Sequence, residues 1–204
     1  MARESRLDEL WKRLQDAEAA LEAELQAYVE EQRDKFHYTL ENGKVRFETE
    51  FKAFQQRYRV GAWSYLKGAK LSYILTAPII YGMVVPLALL DMTLTLYQMI
   101  CFRVYGIPLV KRSEYVVVDR HMLSYLNIIE KLNCVYCGYG NGVIAYGREI
   151  TARTEQFWCP IKHATKVSGA HSRTEKFVEY GDADGWRARL PSLREDWTDT
   201  SPSD

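Results

Sequence analysis

The sequence lacks several features that would assign it to a functional class directly. Its 27 Lys and Arg residues balance 27 Asp and Glu residues, so no general basic field is present for nucleic acid. It has only four cysteines, three of them within one short stretch, a clustering that suits metal ligation in a reducing compartment better than a disulfide framework. No phosphate-binding loop, dinucleotide fingerprint or Ser/His/Asp order can be identified. The sequence does contain a long apolar run and a cluster of potential metal ligands.

The N-terminal segment is typical of a long amphipathic helix. The first ten residues, MARESRLDEL, lack the apolar region and cleavage site of a secretory signal, so we expect the chain to keep its start. Ser5 and Asp8 fit a capping box. Glu24 interrupts a strict heptad, which favours an intramolecular helix pair over a long two-stranded coiled coil. Apolar residues at steps of three and four form the stripe Leu7, Leu10, Trp11, Leu14, Ala17, Leu21, Leu25 and Tyr28.

A turn at residues 41–44 separates this helix from a second one. Asn42-Gly43 between alternating apolar residues predicts a short β-hairpin, after which a helix begins near residues 47–51. Residues 1–34 carry 5 basic and 10 acidic side chains, whereas residues 35–70 carry 8 and 3. Two interpretations of this charge asymmetry stay open. The charges lie on two separate solvated faces, or the acidic first helix folds back on the basic second helix. We therefore predict an amphipathic helical region over residues 1–62.

The apolar run predicts a membrane anchor. Leu71 to Phe102 is 32 residues with one charge, Asp91, which is too long for one minimal span and short for two. Five Lys and Arg residues precede the run within about 20 residues and four follow it, so both ends favour the cytoplasm. A transmembrane hairpin over 63–107, reversing near Pro86, satisfies this balance and places Asp91 at the interface, although an ion or proton site is an alternative. The competing topology is one long tilted span.

Four residues after the apolar run have the spacing of a zinc site. Cys134, Cys137, Cys159 and His163 form the pattern C-x2-C-x21-C-x3-H, which suits a closed, structural, tetrahedral Zn²⁺. Gly138, Gly140 and Gly142 predict a loop between the two ligand pairs. Iron or an iron–sulfur cluster, a redox CxxC pair, and buried free thiols with an exposed histidine are the alternatives. We assign residues 108–190 to this zinc-binding helical domain and residues 191–204 to a disordered tail.

Other polar residues of this region carry weaker signals. Arg148, Glu149, Arg153 and Glu155 lie on a predicted helix between the ligand pairs, and His121 precedes it. These groups could orient metal ligands or act on a substrate, but salt-bridged surface positions are the more frequent explanation. His37 and His171 are isolated in the sequence and are expected to be solvated.

The segment from Leu132 to Ala164, LNCVYCGYGNGVIAYGREITARTEQFWCPIKHA, is similar to one found in a family of uncharacterised small bacterial membrane proteins. The resemblance covers the metal region and part of the preceding helix. It implies a membrane protein but no particular activity, and it does not extend to the N-terminal helices.

Together these features predict a mainly α, membrane-anchored protein of the cell inner membrane with both polar regions in the cytoplasm. The favoured function is a non-enzymatic adaptor or complex subunit that binds the lipid bilayer, carries zinc and does not bind nucleic acid. The alternative is a redox or metal-dependent membrane enzyme or electron-transfer subunit. The surface expected to bind a protein partner consists of Leu7, Trp11, Leu14 and Leu21.

Overall fold

The structure, a computed structural model, describes residues 2–41 and 44–200 and is mainly helical. The chain divides into two compact units: residues 1–60 with 122–127, and residues 61–121 with the chain from 128 onward. Side chains of several residues near the N-terminus and beside the turn are outside this description: residues 2–8, 10, 11, 14, 15, 18, 41 and 44.

The first unit begins with one long helix, α1 (Ala2–Lys35). Leu21, Leu25 and Tyr28 are each more than half exposed, so the described residues do not cover this part of the predicted apolar stripe. The capping box and the side chains of Leu7, Trp11 and Leu14 lie outside the described residues. The helix is present as predicted, and its described apolar face is open to a partner.

An antiparallel hairpin follows α1, in agreement with the Asn-Gly signal. Strand β1 (Tyr38–Glu41) pairs with β2 (Lys44–Phe47), and the register places Tyr38 opposite Phe47. The turn residues 42 and 43 lie outside the described residues. Helix α2 (Thr49–Gln56) then begins where the helical spacing of the aromatic residues predicts it.

Aromatic rings hold the hairpin against α2. The ring of Phe51 lies 6.4 Å from that of Phe36, 6.3 Å from that of Phe47 and 5.9 Å from that of Phe54. Aromatic pairs at such separations add roughly 0.5–1.5 kcal/mol each beyond the burial of their area. These aromatic contacts therefore provide much of the packing of the first unit, which has few buried aliphatic side chains among its described residues.

The second unit is built on one long helix, Leu71–Tyr105, which we call the apolar helix. Its 35 residues are long and apolar enough to cross a membrane. Its backbone stays helical through Met83 (φ −63°, ψ −14°), with a π-helical turn near its end. The short helix α3 (Ala62–Gly68) precedes it. The parts of the apolar helix are α4 (Leu71–Gly82), α5 (Val84–Tyr97), the π turn (Gln98–Phe102) and α6 (Arg103–Tyr105).

The predicted hairpin over 63–107 is not formed, because the chain does not reverse near Pro86. Pro86 is the third residue of α5, and a proline in a first turn lacks an N–H group that would have no partner in the helix. Pro78 lies inside α4 without ending it. One continuous helix is what the competing prediction of one long tilted span requires, and its length and composition would allow it to cross a membrane.

One side of the apolar helix is exposed along its whole length. Its side chains recur at steps of three and four, with Pro78 and Gly82 at the intervening positions, and they are 56–74% exposed. We call this surface the apolar stripe. It consists of Leu71, Leu75, Val85, Leu89, Met92, Leu96, Ile100 and Val104.

The chain turns back after the apolar helix ends at Gly106. Gly106 adopts the left-handed conformation (φ +70°), which costs glycine nothing because it has no Cβ. The following segment runs antiparallel to the helix, because Val110 meets Gln98 and the later residue Arg112 meets the earlier residue Asp91. Gln98 bonds to both backbone groups of Val110: Nε2 donates to the carbonyl (3.2 Å) and Oε1 accepts from the N–H (2.9 Å). A short helix, α7 (Arg112–Tyr115), and a 3₁₀ turn, Arg120–Met122, complete the return.

Helix α8 (Ile128–Trp158) packs against the apolar helix and runs parallel to it. The Tyr81 hydroxyl donates to Asn133, and the Tyr97 hydroxyl lies 3.0 Å from Thr154 Oγ1. Further along, the ring of Tyr105 packs against those of the last α8 residues. Successively later residues of the apolar helix therefore contact successively later residues of α8, as they do in two parallel helices.

The three predicted loop glycines lie inside α8, so the loop is not formed. Gly140 and Gly147 face the apolar helix, whereas Gly138 and Gly142 face the returning segment. A Cβ at Gly142 would lie 2.7 Å from both the Tyr115 carbonyl oxygen and Val116 Cα. These glycines allow close backbone approach within a helix rather than a turn.

The C-terminal region packs on the end of α8. A 3₁₀ turn (Ser172–Lys176) precedes α9 (Ala183–Glu195), whose N-cap Asp182 accepts a hydrogen bond from the Gly185 N–H at 2.8 Å. The prediction of a disordered tail over 191–204 is wrong for residues 191–200, because α9 continues to Glu195 and Asp199 is ion-paired. Residues 201–204 lie outside the described part of the chain.

Replacing Gly142 with alanine should destabilise the second unit by about 1–3 kcal/mol, because the new methyl group would press on backbone atoms that cannot rotate away. The matched control is Gly82→Ala in α4, where an added Cβ has no neighbour within 4 Å. That change should be neutral or stabilise by up to about 1 kcal/mol. Thermal unfolding in detergent measures both variants, and equal stability of the two would contradict this packing.

Candidate functional site

The structure does not bring the four predicted metal ligands together. Cys134 and Cys137 lie on adjacent turns in the first third of α8, Cys159 directly follows its last residue, and His163 is exposed beyond it. About 33 Å of helix separates the Cys137 and Cys159 positions, whereas each Zn–S bond is about 2.3 Å long. All four cysteines are free thiols.

The reason is that α8 does not bend at Gly138, where a zinc knuckle would need a turn. Within residues 2–41 and 44–200, no three His, Cys, Asp or Glu side chains are placed to hold one metal ion. The spacing C-x2-C therefore reflects two cysteines one helical turn apart. Zinc or iron binding by this protein stays a prediction without a preformed four-ligand site to support it.

The two cysteine-containing segments should behave independently toward metal. We expect that no bound zinc ion depends on both the Cys134/Cys137 pair and the Cys159/His163 pair, because α8 holds the two pairs apart. Elemental analysis of the wild-type protein, Cys134→Ser/Cys137→Ser and Cys159→Ser/His163→Ala measures this. One zinc per wild-type chain that is lost from either variant would show that α8 breaks in solution.

Asp91 joins three elements at the middle of the apolar helix. Its carboxylate accepts hydrogen bonds from Arg112 Nε (2.9 Å) and Nη2 (2.7 Å) and from the Tyr139 hydroxyl (3.0 Å). The side chain is 13% exposed, in contrast to the expected interfacial position beside a turn. The hydrogen bonds to Asp91 raise the pKa of Arg112, whereas burial and the Asp91 bond raise that of Tyr139.

This cluster connects three elements through ionic and hydrogen-bonding contacts. A bidentate arginine–carboxylate pair fixes both groups in position and charge. The hydroxyl of Tyr139 donates a third hydrogen bond to the same carboxylate, at Asp91 Oδ2. The cluster therefore connects the apolar helix, the returning segment and α8 at one level.

A buried ionic network lies at the other end of α8. Glu149 Oε1 accepts from Arg153 Nε (2.8 Å) and Arg173 Nη2 (2.7 Å). The Arg173 side chain is 4% exposed, and its guanidinium also bonds to Gln156 Oε1 and to Asp199. Removing one partner of a buried pair typically costs about 3–5 kcal/mol. The network thus fixes the 3₁₀ turn and the tail on α8.

The same network reaches the returning segment and the end of the described chain. Arg153 Nη1 donates to the Pro108 carbonyl at 2.8 Å. The fully buried Gln156 donates through Nε2 to the carbonyls of Leu193 (2.9 Å) and Asp196 (2.6 Å). These bonds satisfy polar groups that would otherwise be costly to bury.

Two histidines and a glutamate line a cavity of about 340 Å³ beside this network. His171 Nε2 lies 2.7 Å from Glu155 Oε2, and Nδ1 lies 3.3 Å from Thr174 Oγ1. The prediction of a solvated His171 is therefore wrong. His163 lines the same cavity, so the structure places it near His171 and far from Cys134 and Cys137.

Sequence reasoning missed most of these partners because they are distant along the chain. Glu149 and Arg153 carried the one available signal, an acidic and a basic residue four positions apart on a helix. Surface placement was the simpler expectation, but Arg153 is 7% exposed. The sequence contains no comparable sign that Arg173 completes the pair from 24 residues away.

Comparisons with known proteins find no match. No protein-family model fits the chain, and no curated protein or solved structure matches it. The resemblance of residues 132–164 to small bacterial membrane proteins accordingly stays a prediction.

The C-terminal tail should detach in acid. Burial alone would raise the pKa of Asp199, but the hydrogen bond from Lys176 and the charges of Arg173 and Lys176 hold it below its ordinary value. The Thr198 hydroxyl likewise lowers the pKa of Asp196. A lowered carboxyl pKa adds stability above the unfolded value of 3.8 and loses it as the pH falls through the folded value.

We therefore expect thermal stability to fall between roughly pH 5 and pH 2, the window in which these carboxylates become protonated. Circular dichroism measures the change. The double variant Asp196→Asn/Asp199→Asn should be less stable at neutral pH and should lose less on acidification. An equal loss in both proteins would place the acid-sensitive groups elsewhere.

Proposed function

We propose that this protein is a membrane-anchored, non-enzymatic adaptor or complex subunit. The observation that supports the anchor is the exposure of the apolar helix. Between Leu71 and Leu90, every residue except Ala77, Tyr81 and Leu87 is exposed. A helix that is apolar and open to this extent needs lipid or protein around it.

The polar regions on both sides are proposed to lie in the cytoplasm at the inner membrane. Five Lys and Arg residues precede the apolar run within about 20 residues, and four follow it. Trp63 is 70% exposed beside Lys67, whose Nζ lies 5.5 Å from the centre of the Trp63 ring. Aromatic and basic side chains of this kind favour the membrane interface.

The adaptor role rests on α1. Its described apolar side chains are uncovered: Leu21 is 58%, Leu25 54% and Tyr28 59% exposed. A stripe of this kind can dock in a groove of a protein partner or pair with a second helix. The proposed surface continues toward the N-terminus through Leu7, Trp11 and Leu14. No observation on the described residues favours the redox or metal-dependent enzyme over the adaptor.

Membrane fractionation and cross-linking test this proposal. The full chain should stay in the membrane pellet through carbonate washing, because the apolar stripe has no cover among the described residues. A photo-reactive amino acid at Leu21 should give one reproducible cross-linked protein in native membranes. The same group at Ala23, which is exposed on the other side of α1, is the matched control.

Two results would contradict the proposal. Release of the protein by carbonate would remove the anchor. Equal cross-linking from Leu21 and Ala23 would show that α1 has no preferred docking face, and the adaptor role would fail while the anchor survived.

A further inference from the structure

We infer that the first part of α8 forms, beside the apolar helix, a binding groove for the acyl chain of an anionic phospholipid. This inference rests on the proposed membrane anchor and adds a specific ligand site to it. The observation that carries it is one apolar face of α8 that is fully buried in the second half of the helix and open in the first.

This face of α8 changes from open to buried along the helix. Residues at steps of three and four share one side of a helix, and here they are Ile128, Leu132, Val135, Tyr139, Val143, Tyr146 and Ile150. The last three are 0% exposed, whereas the first three are 65%, 54% and 36% exposed. The sequence therefore continues a core-type face beyond the point at which the core ends.

The core ends where the returning segment leaves this face. Ile107 and Val110 of that segment pack in the same buried cluster as Tyr146 and Ile150 of α8. Tyr139 lies at the boundary, and its hydroxyl donates to Asp91 rather than joining the apolar cluster. Toward the start of α8, the described residues leave the same face open.

The apolar helix adds a second apolar wall at this level. Val84 and Ile80 lie 7 and 11 positions before Asp91, so they share its side of the helix, and they are 41% and 50% exposed. Tyr81 bonds to Asn133, which keeps the two helices adjacent here. Two apolar walls therefore border one opening beyond Asp91.

A cavity of about 410 Å³ lies against the open part of α8. Its lining residues all belong to the second unit, and four of the six are aliphatic: His121, Ile128, Ile129, Lys131, Leu132 and Val135. An α-helix with a diameter of 10 Å fills about 420 Å³ per turn, so the cavity holds no more than one turn of a partner helix. A thin, flexible acyl chain fits this space and this lining.

The two polar residues of the cavity suit a phospholipid. His121 Nδ1 is buried and has no hydrogen-bond partner among the described residues, a state that is costly unless a ligand supplies one. Lys131 is the one lining residue with a permanent charge. A lipid ester oxygen can accept from the His121 ring, while the Lys131 ammonium pairs with the phosphate. Exposed Arg120 adds positive charge beside them and favours an anionic headgroup.

The surroundings of the groove supply the same ligand. Tyr81, which meets Asn133 and Tyr136 of α8, lies within the part of the apolar helix between Leu71 and Leu90 that is exposed almost all round. We have proposed lipid as the surroundings of this part. An acyl chain then enters the groove from the membrane without passing through water.

The test measures the phospholipid that stays bound to the purified full chain. The protein is reconstituted in vesicles of equal parts phosphatidylglycerol and phosphatidylcholine, extracted in a mild detergent and analysed by native mass spectrometry. We expect one phospholipid per chain. Phosphatidylglycerol should exceed phosphatidylcholine about fivefold, which is the preference that one basic residue near an anionic headgroup provides.

Three variants separate the groove from general lipid contact. Leu132→Trp fills the groove and should abolish the retained lipid. The matched control Leu89→Trp puts the same ring on the apolar stripe and should keep it; Leu132 and Leu89 are 54% and 57% exposed, so neither change disturbs the core. Lys131→Gln should retain one phospholipid but lose the preference for phosphatidylglycerol. Equal thermal unfolding midpoints show that the variants are folded.

Ile128→Gln provides a second change that adds no bulk. It makes the groove wall polar at a position that is 65% exposed, and it should also lower lipid retention. Full retention by both Leu132→Trp and Ile128→Gln would overturn the groove. An unchanged headgroup preference in Lys131→Gln would overturn the assigned role of Lys131 and the choice of an anionic lipid.

Flotation of the wild-type protein with the same vesicles separates the groove from the anchor. Failure to float would overturn the proposed membrane anchor itself. Flotation without retained phospholipid would overturn the groove and leave the anchor in place. A dimer that dissociates in Leu132→Trp but not in Leu89→Trp would assign the open face of α8 to a second copy of the chain, and the lipid site would fail.

Discussion

The backbone around residues 115–116 lies so close to α8 that a β carbon at Gly142 would meet two backbone atoms at 2.7 Å. This close approach holds the returning segment against α8. Gly140 and Gly147 allow the same helix to approach the apolar helix on its other side. Side chains that interact across these contacts, such as Asp91 with Arg112 and Tyr139, keep their geometry only while the backbones stay this close.

Polar groups contribute specificity where the apolar contacts are few. The Gln98 side chain bonds to both the N–H and the carbonyl of Val110. Only one register of the returning segment satisfies the hydrogen-bonding groups of this side chain. At the far end, Glu149 accepts from two arginines, and Gln156 bonds to two carbonyls of the C-terminal region. A shifted register would leave these buried groups without partners, at a cost of about 1–3 kcal/mol each.

Local patterns predicted local structure well. Helical spacing and the Asn-Gly turn located α1, the hairpin and α2, because each depends on neighbours in sequence. The path of the chain after Leu71 was not predictable in this way, since counting Lys and Arg indicates a side of the membrane but not whether the helix reverses. The four predicted metal ligands are not brought together for a similar reason: their spacing needs a turn at Gly138, whereas the glycines permit helix packing against residues about 20 to 53 positions away.

The parallel orientation of α8 and the apolar helix has a consequence for synthesis. Residues that meet across this interface, such as Tyr81 and Asn133, are separated by 52 positions in the chain. At a translation rate of about 5–20 residues per second, the apolar helix leaves the ribosome roughly 3–10 seconds before its covering partner exists. During that interval the side of the apolar helix that α8 later covers is exposed as well. The nascent chain therefore has more apolar surface open to aggregation than the folded protein does.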